Sequence, residues 1–337
     1  MCHYPYEISK KYKKMKLIGY GANIAALNVI RTSRINLDFI VDDNESSHGT
    51  TLADVPIYPS SALSTVDWNT TRLIVCAYNP RSIIQIQSKL ELIGLNYLEH
   101  WIDCSVFYFN TIGTKLKEVF RIAPDPLLFW RTRALILRCA PDNMSSIAGT
   151  WLFIELLRHL AAKQNGGVAE MGVFRGGNAF VTLALGPDPT GWKYHLFDSF
   201  TGLPELSTYD PISRGGEFTD TSLAHIHSMF SDYDNVIIHA GLFSDTLESV
   251  ATEYFNIVYV DCDLYEPTLE CCDFYYNRLN QGGIMLFHDY FHASAQLPSG
   301  CKKPFTGVRL AVDEYFRNRP EKVIHFPETT HALIIKQ

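Results

Sequence analysis

The chain has 337 residues, long enough for two domains, and its 47% hydrophobic and 19% charged residues mark an ordinary globular protein. A formal charge of −7 argues against nucleic acid or an anionic membrane surface as partner, and no apolar run approaches the roughly 20 residues of a membrane span. The N-terminus carries no apolar signal core, and eight cysteines without C-x-x-C pairs read as reduced thiols of a cytoplasmic protein without a zinc site.

Residues 1–100 alternate strands and helices. Met15 to Asn23 reads as a strand entering a glycine turn, and Ile24 to Arg31 as a helix. Leu37 to Val41 is a second strand, ending in Asp42-Asp43-Asn44, and Val55 to Pro59 is a short extended piece. Leu73 to Ala77 is a further strand, with a helix from Arg81 to about Ile93. Such alternation predicts a parallel sheet with right-handed crossovers. The pattern resembles the small Rossmann-like modules attached to sugar-modifying enzymes. It implies either a nucleotide-sugar or dinucleotide pocket at Gly19, Gly21 and Asp42, or a cofactor-free docking module. The third glycine of the dinucleotide fingerprint is missing, since Ile24 stands in its place.

Residues 101–165 read as a helical connector or cap. Thr114 to Phe120, Asp125 to Cys139 and Ser145 to Gln164 are its helices, with Pro124, Pro126 and Pro141 as breakers. Trp130, Ile136, Trp151 and Ile154 recur at helical spacing, which predicts core packing and a subunit interface in a homo-oligomer.

Residues 166–337 carry the chemistry. Gly167 to Met171 is a short apolar strand holding the acid Glu170, and it runs into a turn with Gly172, Gly176 and Gly177 and then into a helix. Glycines let backbone approach a ligand at the carboxyl end of a strand, as a nucleotide-type cofactor requires. A second strand, Tyr194 to Phe197, ends in Asp198, which is placed to accept hydrogen bonds from ribose hydroxyls; Ser199 follows. A third strand, Val236 to Ala240, gives way to Gly241-Leu242-Phe243. A fourth, Ile257 to Val260, ends in Asp261-Cys262-Asp263-Leu264-Tyr265, and a fifth, Gly282 to Phe287, ends in His288-Asp289-Tyr290. Acids past successive strand ends line one crevice in this architecture. Each lone acid also has a plainer reading as a helix N-cap, for Asp245 and for Asp261 to Glu266.

The stretch from Ser199 to Thr221 is rich in Gly, Pro, Ser and Thr and is long enough to act as a lid, with Tyr209, Arg214 and Phe218 as candidate acceptor contacts. Gly307 to Asn318 reads as a helix in which Arg309 and Asp313 fall one turn apart. Arg309 either pairs there or reaches the acceptor. His225, His227 and His292 lack site spacing and read as surface or lid residues. The last two strands, at 322–326 and 331–335, should close the sheet, the final one antiparallel.

These ordered blocks, E-M-G-V-F-R-G-G, D-S-F-T-G-L-P, G-L-F-S-D-T-L, V-D-C-D-L-Y-E-P-T, H-D-Y and G-V-R-L-A-V-D-E-Y-F, resemble the macrocin O-methyltransferase (TylF-type) family over residues 115–337. The resemblance implies a class I methyltransferase sheet of seven strands behind the small Rossmann-like domain. It implies S-adenosyl-L-methionine as cofactor, contacted by Glu170, Gly172, Gly176, Gly177, Asp198, Ser199, Gly241, Phe243 and Asp261. The acceptor would be a sugar hydroxyl on a small molecule or glycan precursor, near Tyr209, Arg214, Tyr265, Tyr290 and Arg309. A catechol-like phenol acceptor and a non-catalytic cofactor-binding scaffold are the alternatives.

An alcohol is a poor nucleophile at neutral pH, so a bound cation or a base must assist it. The resemblance implies a divalent cation, Mg²⁺ first and Mn²⁺ or another ion next, held by Asp261, His288 and Asp289, with Asp263 as base or orienting carboxylate. His288 departs from the aspartate expected there, and imidazole suits softer ions better than Mg²⁺. Three outcomes stay open: a metal on Asp261 and Asp289 with waters, a softer ion, or His288 as a metal-free general base.

Overall fold

The computed structural model describes residues 5–161, 166–187, 191–210, 216–290 and 305–337. Two compact units divide the chain after Trp151.

The first unit opens with α1 (Pro5–Tyr12), β1 (Lys16–Tyr20), α2 (Ile24–Arg31) and β2 (Ile40–Asp42). A small hairpin follows, β3 (Thr51–Leu52) and β4 (Val55–Pro59), and then β5 (Thr71–Val75), α3 (Pro80–Leu92) and β6 (Trp101–Asp103). Helices α4 (Ser105–Phe120), α5 (Pro126–Arg138) and the start of α6 (Ile147–Ala161) complete it. The sheet has six strands in the order β3-β4-β2-β1-β5-β6, parallel except for the β3–β4 pair. Its central strands are apolar on both faces, as strands covered by helices on either side must be. Side chains start the helices: Asn23 Oδ1 accepts from the Ala25 and Ala26 amides, and Asp125 Oδ1 from Leu127 and Leu128 just before Pro126. Arg133 of α5 donates to the fully buried Asp103 of β6 at 2.8 Å, pinning helix to strand.

The second unit continues α6 and adds β7 (Gly167–Met171), α7 (Gly177–Leu185), β8 (Tyr194–Asp198), α8 (Leu223–Met229), β9 (Val236–Ala240) and α9 (Phe243–Thr246). Then come β10 (Phe255–Val260), α10 (Tyr265–Tyr276), β11 (Leu279–Phe287), α11 (Thr306–Phe316), β12 (Ile324–Phe326) and β13 (His331–Ile335). Seven strands lie in the order β12-β13-β11-β10-β7-β8-β9, and β13 is antiparallel to both of its neighbours. That order, with its reversed penultimate strand, is the expected class I methyltransferase sheet. Every residue of β7 and β10 is buried. Phe197, Phe255 and Phe287 are among the fully buried rings, each stabilising by roughly 1.5–3 kcal/mol. The strand order changes direction beside β7, so the carboxyl ends of β7, β8, β10 and β11 open on one crevice. No helix among the described residues is long and apolar enough to cross a membrane.

Candidate active site

The crevice is built around the turn after β7. Gly172 has φ +93°, and a Cβ there would stand 2.0 Å from the Asp261 carbonyl oxygen, so only glycine lets the turn pass this close to the end of β10. Gly176 has φ +80° and leads into Gly177, the first residue of α7. At the end of β8, Asp198 reaches back over this turn. Its Oδ2 accepts from the Val173 and Phe174 amides at 2.9 and 2.7 Å, and its Oδ1 accepts from Phe200 at 2.7 Å. Burial outweighs these three donors and raises the Asp198 carboxyl above its ordinary range. Ser199 holds the next turn, donating from Oγ to the Gly202 carbonyl at 2.9 Å.

Glu170 lies deeper. It is fully buried, its Oε1 accepts from Asn178 Nδ2 and its Oε2 from the Tyr194 hydroxyl, and burial pushes its carboxyl up to about 8. It braces β7, α7 and β8 from below. Gly241, at φ +145°, turns the chain from β9 into α9, and Phe243 packs its partly buried ring on the core.

Opposite the turn, four polar side chains meet. The His288 ring nitrogen Nδ1 lies 2.7 Å from Asp261 Oδ1 and 3.6 Å from Asp289 Oδ1. A carboxylate can only accept, so Nδ1 carries the proton in this pair. Burial works to lower the imidazole, but the Asp261 and Asp289 carboxylates overcome it and raise His288 to about 9. Asp263 is pushed well above the carboxylate range, first by burial and then by Asp289 and Asp261. Asp263 and Asp289 both adopt left-handed backbone, φ 66° and 54°, at a cost of roughly 1–2 kcal/mol each.

Behind His288 sits His331, which no local motif marks. Its Nδ1 donates to the Thr329 carbonyl at 2.7 Å, so its Nε2 must accept from the Tyr259 hydroxyl at 3.1 Å. Burial, and then the His288 charge, hold it neutral. The two imidazole centroids are 4.7 Å apart.

None of the acids from Asp261 to Glu266 caps α10, whose N-cap residue is Leu264, and Asp245 lies inside α9. The cap comes instead from Asp210, whose Oδ1 accepts from the Tyr265 amide at 2.9 Å. The neighbouring Tyr209 ring is 53% exposed and lies 4.3 Å from the Tyr265 ring, whose hydroxyl donates to Glu314 at 2.7 Å. Tyr290 donates to Asp313, which also accepts from Arg309 Nε at 3.2 Å, the one-turn pair. The Arg309 guanidinium sits over the Tyr290 ring. Phe218 packs edge-on against Phe174 of the glycine turn. His225 and His227 are exposed on α8, while Arg214 and His292 lie outside the described residues.

The cluster does not fit a magnesium ion as it stands. His288 presents an N–H rather than a lone pair to Asp261, and among the described residues no three His, Cys, Asp or Glu side chains converge to hold a metal.

Elsewhere in this unit His195 bridges His239 Nε2 at 3.0 Å and Glu253 Oε2 at 3.1 Å, and His239 Nδ1 meets Ser249 Oγ at 3.0 Å. Burial lowers both imidazoles, His239 to about 4.

In the first unit a cleft of about 380 Å³ opens beyond β1, β2 and β5, lined among others by Tyr20, Gly21, Asp42, Asp43, Tyr78 and Lys89. Its glycine turn is not free to receive a pyrophosphate. Asp42 Oδ2 takes the Ala22 amide at 2.5 Å, Asn23 takes those of Ala25 and Ala26, and Gly21 donates to Val41. Gly19 serves packing, since a Cβ there would press on Leu37 and Ile40.

The family model for Macrocin-O-methyltransferase (TylF) matches residues 155–307. This stretch lies inside the one where the ordered motifs carry the resemblance, and the expected family is borne out there. A relative from Streptomyces olivaceus, 8-demethyl-8-(2,3-dimethoxy-alpha-L-rhamnosyl)-tetracenomycin-C 4'-O-methyltransferase, is 30% identical over 138 residues, 37% of this chain and 53% of the relative. Mycinamicin III 3''-O-methyltransferase of Micromonospora griseorubida is 31% identical over 143 residues, 37% of this chain and 55% of that protein. The chain thus spans about half the length of these curated relatives. The solved O-methyltransferase NovP is 19% identical, with a TM-score of 0.47 over 69% of this chain and 99% of that one.

Proposed function

We propose, from the macrocin-O-methyltransferase (TylF) match of residues 155–307, that this chain is an S-adenosylmethionine-dependent O-methyltransferase acting on a sugar hydroxyl. The acceptor class is a nucleotide sugar, a glycan precursor or a glycosylated natural product. The Streptomyces olivaceus relative is named for O-methylation of a rhamnosyl compound, which supports this class. The observation that carries the reading is Asp198, clamped over the glycine turn with its carboxylate at the mouth of the crevice that also holds Asp261 and Asp263.

The residues fit the cofactor. Asp198 is fixed by three amide donors yet only partly buried, and Oδ1, which takes one of the three, keeps a lone pair to accept from a ribose hydroxyl. Bound S-adenosylmethionine supplies an electrophilic methyl carbon on a sulfonium. The protein aligns the acceptor oxygen with that carbon and removes the hydroxyl proton. Asp263 would take the proton that the acceptor hydroxyl gives up on methylation. Its raised proton affinity makes the ionised Asp263 a stronger base than an exposed carboxylate. Tyr209 and Tyr265, two tilted rings 4.3 Å apart at the start of α10, offer apolar surface on which a sugar face can rest.

Calorimetric titration with S-adenosylhomocysteine tests this reading. Wild type should bind at micromolar concentration, and Asp198→Ala should bind about 10- to 100-fold more weakly for loss of charge-assisted hydrogen bonds. A folded wild type that binds none would end it.

A further inference from the structure

We infer that His288 fills the place of a divalent cation in this crevice, so that the chain transfers the methyl group without one. The inference rests on the methyltransferase reading and deepens it. Asp261 and Asp263 follow β10 and Asp289 follows the adjacent β11, which puts carboxylates, the ligand type a hard cation prefers, at neighbouring strand ends. Here a side chain enters the group instead. His288 Nδ1 donates to Asp261 Oδ1 at 2.7 Å, and Asp289 Oδ1 lies 3.6 Å away, within ion-pair range of the same nitrogen.

The ring is held in that pose from two further directions. Its backbone amide donates to the Val260 carbonyl at 2.9 Å, which fixes the end of β11 against β10. The ring packs at a tilt against His331, centroid to centroid at 4.7 Å. His331 is itself fully buried and tied at both nitrogens, to the Thr329 carbonyl and the Tyr259 hydroxyl. Tyr259 in turn stacks on Phe153, 4.8 Å away and 19° from parallel. To offer Nδ1 as a ligand, His288 would have to give up its proton and its bond to Asp261 together. His288 is therefore a positioning residue: it holds Asp261 and Asp289 in place and leaves Asp263 to act on the acceptor.

Manganese titration followed by electron paramagnetic resonance decides this on the full chain, with S-adenosylhomocysteine present. Wild type should leave the free Mn²⁺ signal undiminished. His288→Asp, which completes a set of carboxylates, should quench it. Turnover of wild type should survive EDTA, and that of His288→Asp should be lost with EDTA and return with added ion. Quenching by wild type that disappears in Asp261→Asn overturns the inference, as does loss of wild-type turnover in EDTA. If neither protein quenches the signal, the carboxylates form no cation site and the replacement is likewise overturned. Should His288→Asp fail to fold, the wild-type titration still decides. Calorimetry with S-adenosylhomocysteine on the same sample separates failure of the methyltransferase reading from failure of this one.

Discussion

Asp210 accepts the Tyr265 amide at 2.9 Å and so caps α10 from 55 residues upstream. A buried carboxylate thereby ties the segment after β8 to the helix that follows Asp261 and Asp263. Asp210→Ala should lower stability by about 1 kcal/mol, as loss of an N-cap does. The Tyr209–Tyr265 ring contact should loosen with it. In steady-state kinetics the acceptor KM should rise more than kcat falls, and S-adenosylhomocysteine affinity should hold. Equal losses in kcat and cofactor affinity would tie Asp210 to the cofactor rather than to the acceptor.

Two glycines with positive φ offer a matched comparison. A Cβ at Gly172 would collide with the Asp261 carbonyl, whereas at Gly191 it would meet nothing within 4 Å. Gly191→Ala should therefore cost only the backbone term of roughly 1–2 kcal/mol. Gly172→Ala should cost more in a urea melt and abolish S-adenosylhomocysteine binding, because the turn must back away from β10.

Glu170 sets a pH dependence of stability. Its folded carboxyl titrates at about 8 against an ordinary 4.5, because burial disfavours the charge. The unfolded chain therefore releases this proton first as pH rises. The contribution is complete below about 4.5 and is lost progressively up to about 8, on the order of a few kcal/mol. Glu170→Gln keeps hydrogen-bonding partners for Asn178 and Tyr194. Its melting temperature should exceed that of wild type by a margin that widens from pH 5 to pH 8; a constant or shrinking margin contradicts the assignment.

His195 and His239 act in the opposite direction. Both imidazoles are lowered by burial, His239 to about 4, so the unfolded chain binds protons first as pH falls from its ordinary value near 6.5. Stability should decline on going from about pH 6.5 to pH 4. His239→Gln should flatten that acid limb in denaturant melts, and an unchanged slope would exonerate the pair.

How much of this was legible in the sequence depended on the range of the interactions. The strand, glycine turn and strand-end acids of the second unit are local patterns, and they led directly to the strands and to the Asp198, Asp261 and His288 positions, while the seven-stranded sheet was implied by the family resemblance. The helix expected from Thr114 starts earlier, at Ser105, and runs through Gly113, where a side chain would strike Pro124. A glycine that reads as a helix boundary there makes room for a neighbour. Strand β6 is only Trp101–Asp103, too short for a period to show, and the β3–β4 hairpin breaks the all-parallel expectation. Asp210 and His331 were missed because their partners lie 55 and 72 residues away, and nothing local marks either contact. The acids after β10 read equally well as caps until that distant carboxylate took the role.

The left-handed backbone at Asp263 and Asp289 carries a consequence for engineering. Glycine would relax both positions while deleting both carboxylates, so the two substitutions that ease the chain most cheaply here are those that remove its chemistry. A library of variants sorted by heat resistance alone should drift toward glycine at these sites and discard activity on the way. Sorting on turnover should keep aspartate, and its strain, in place.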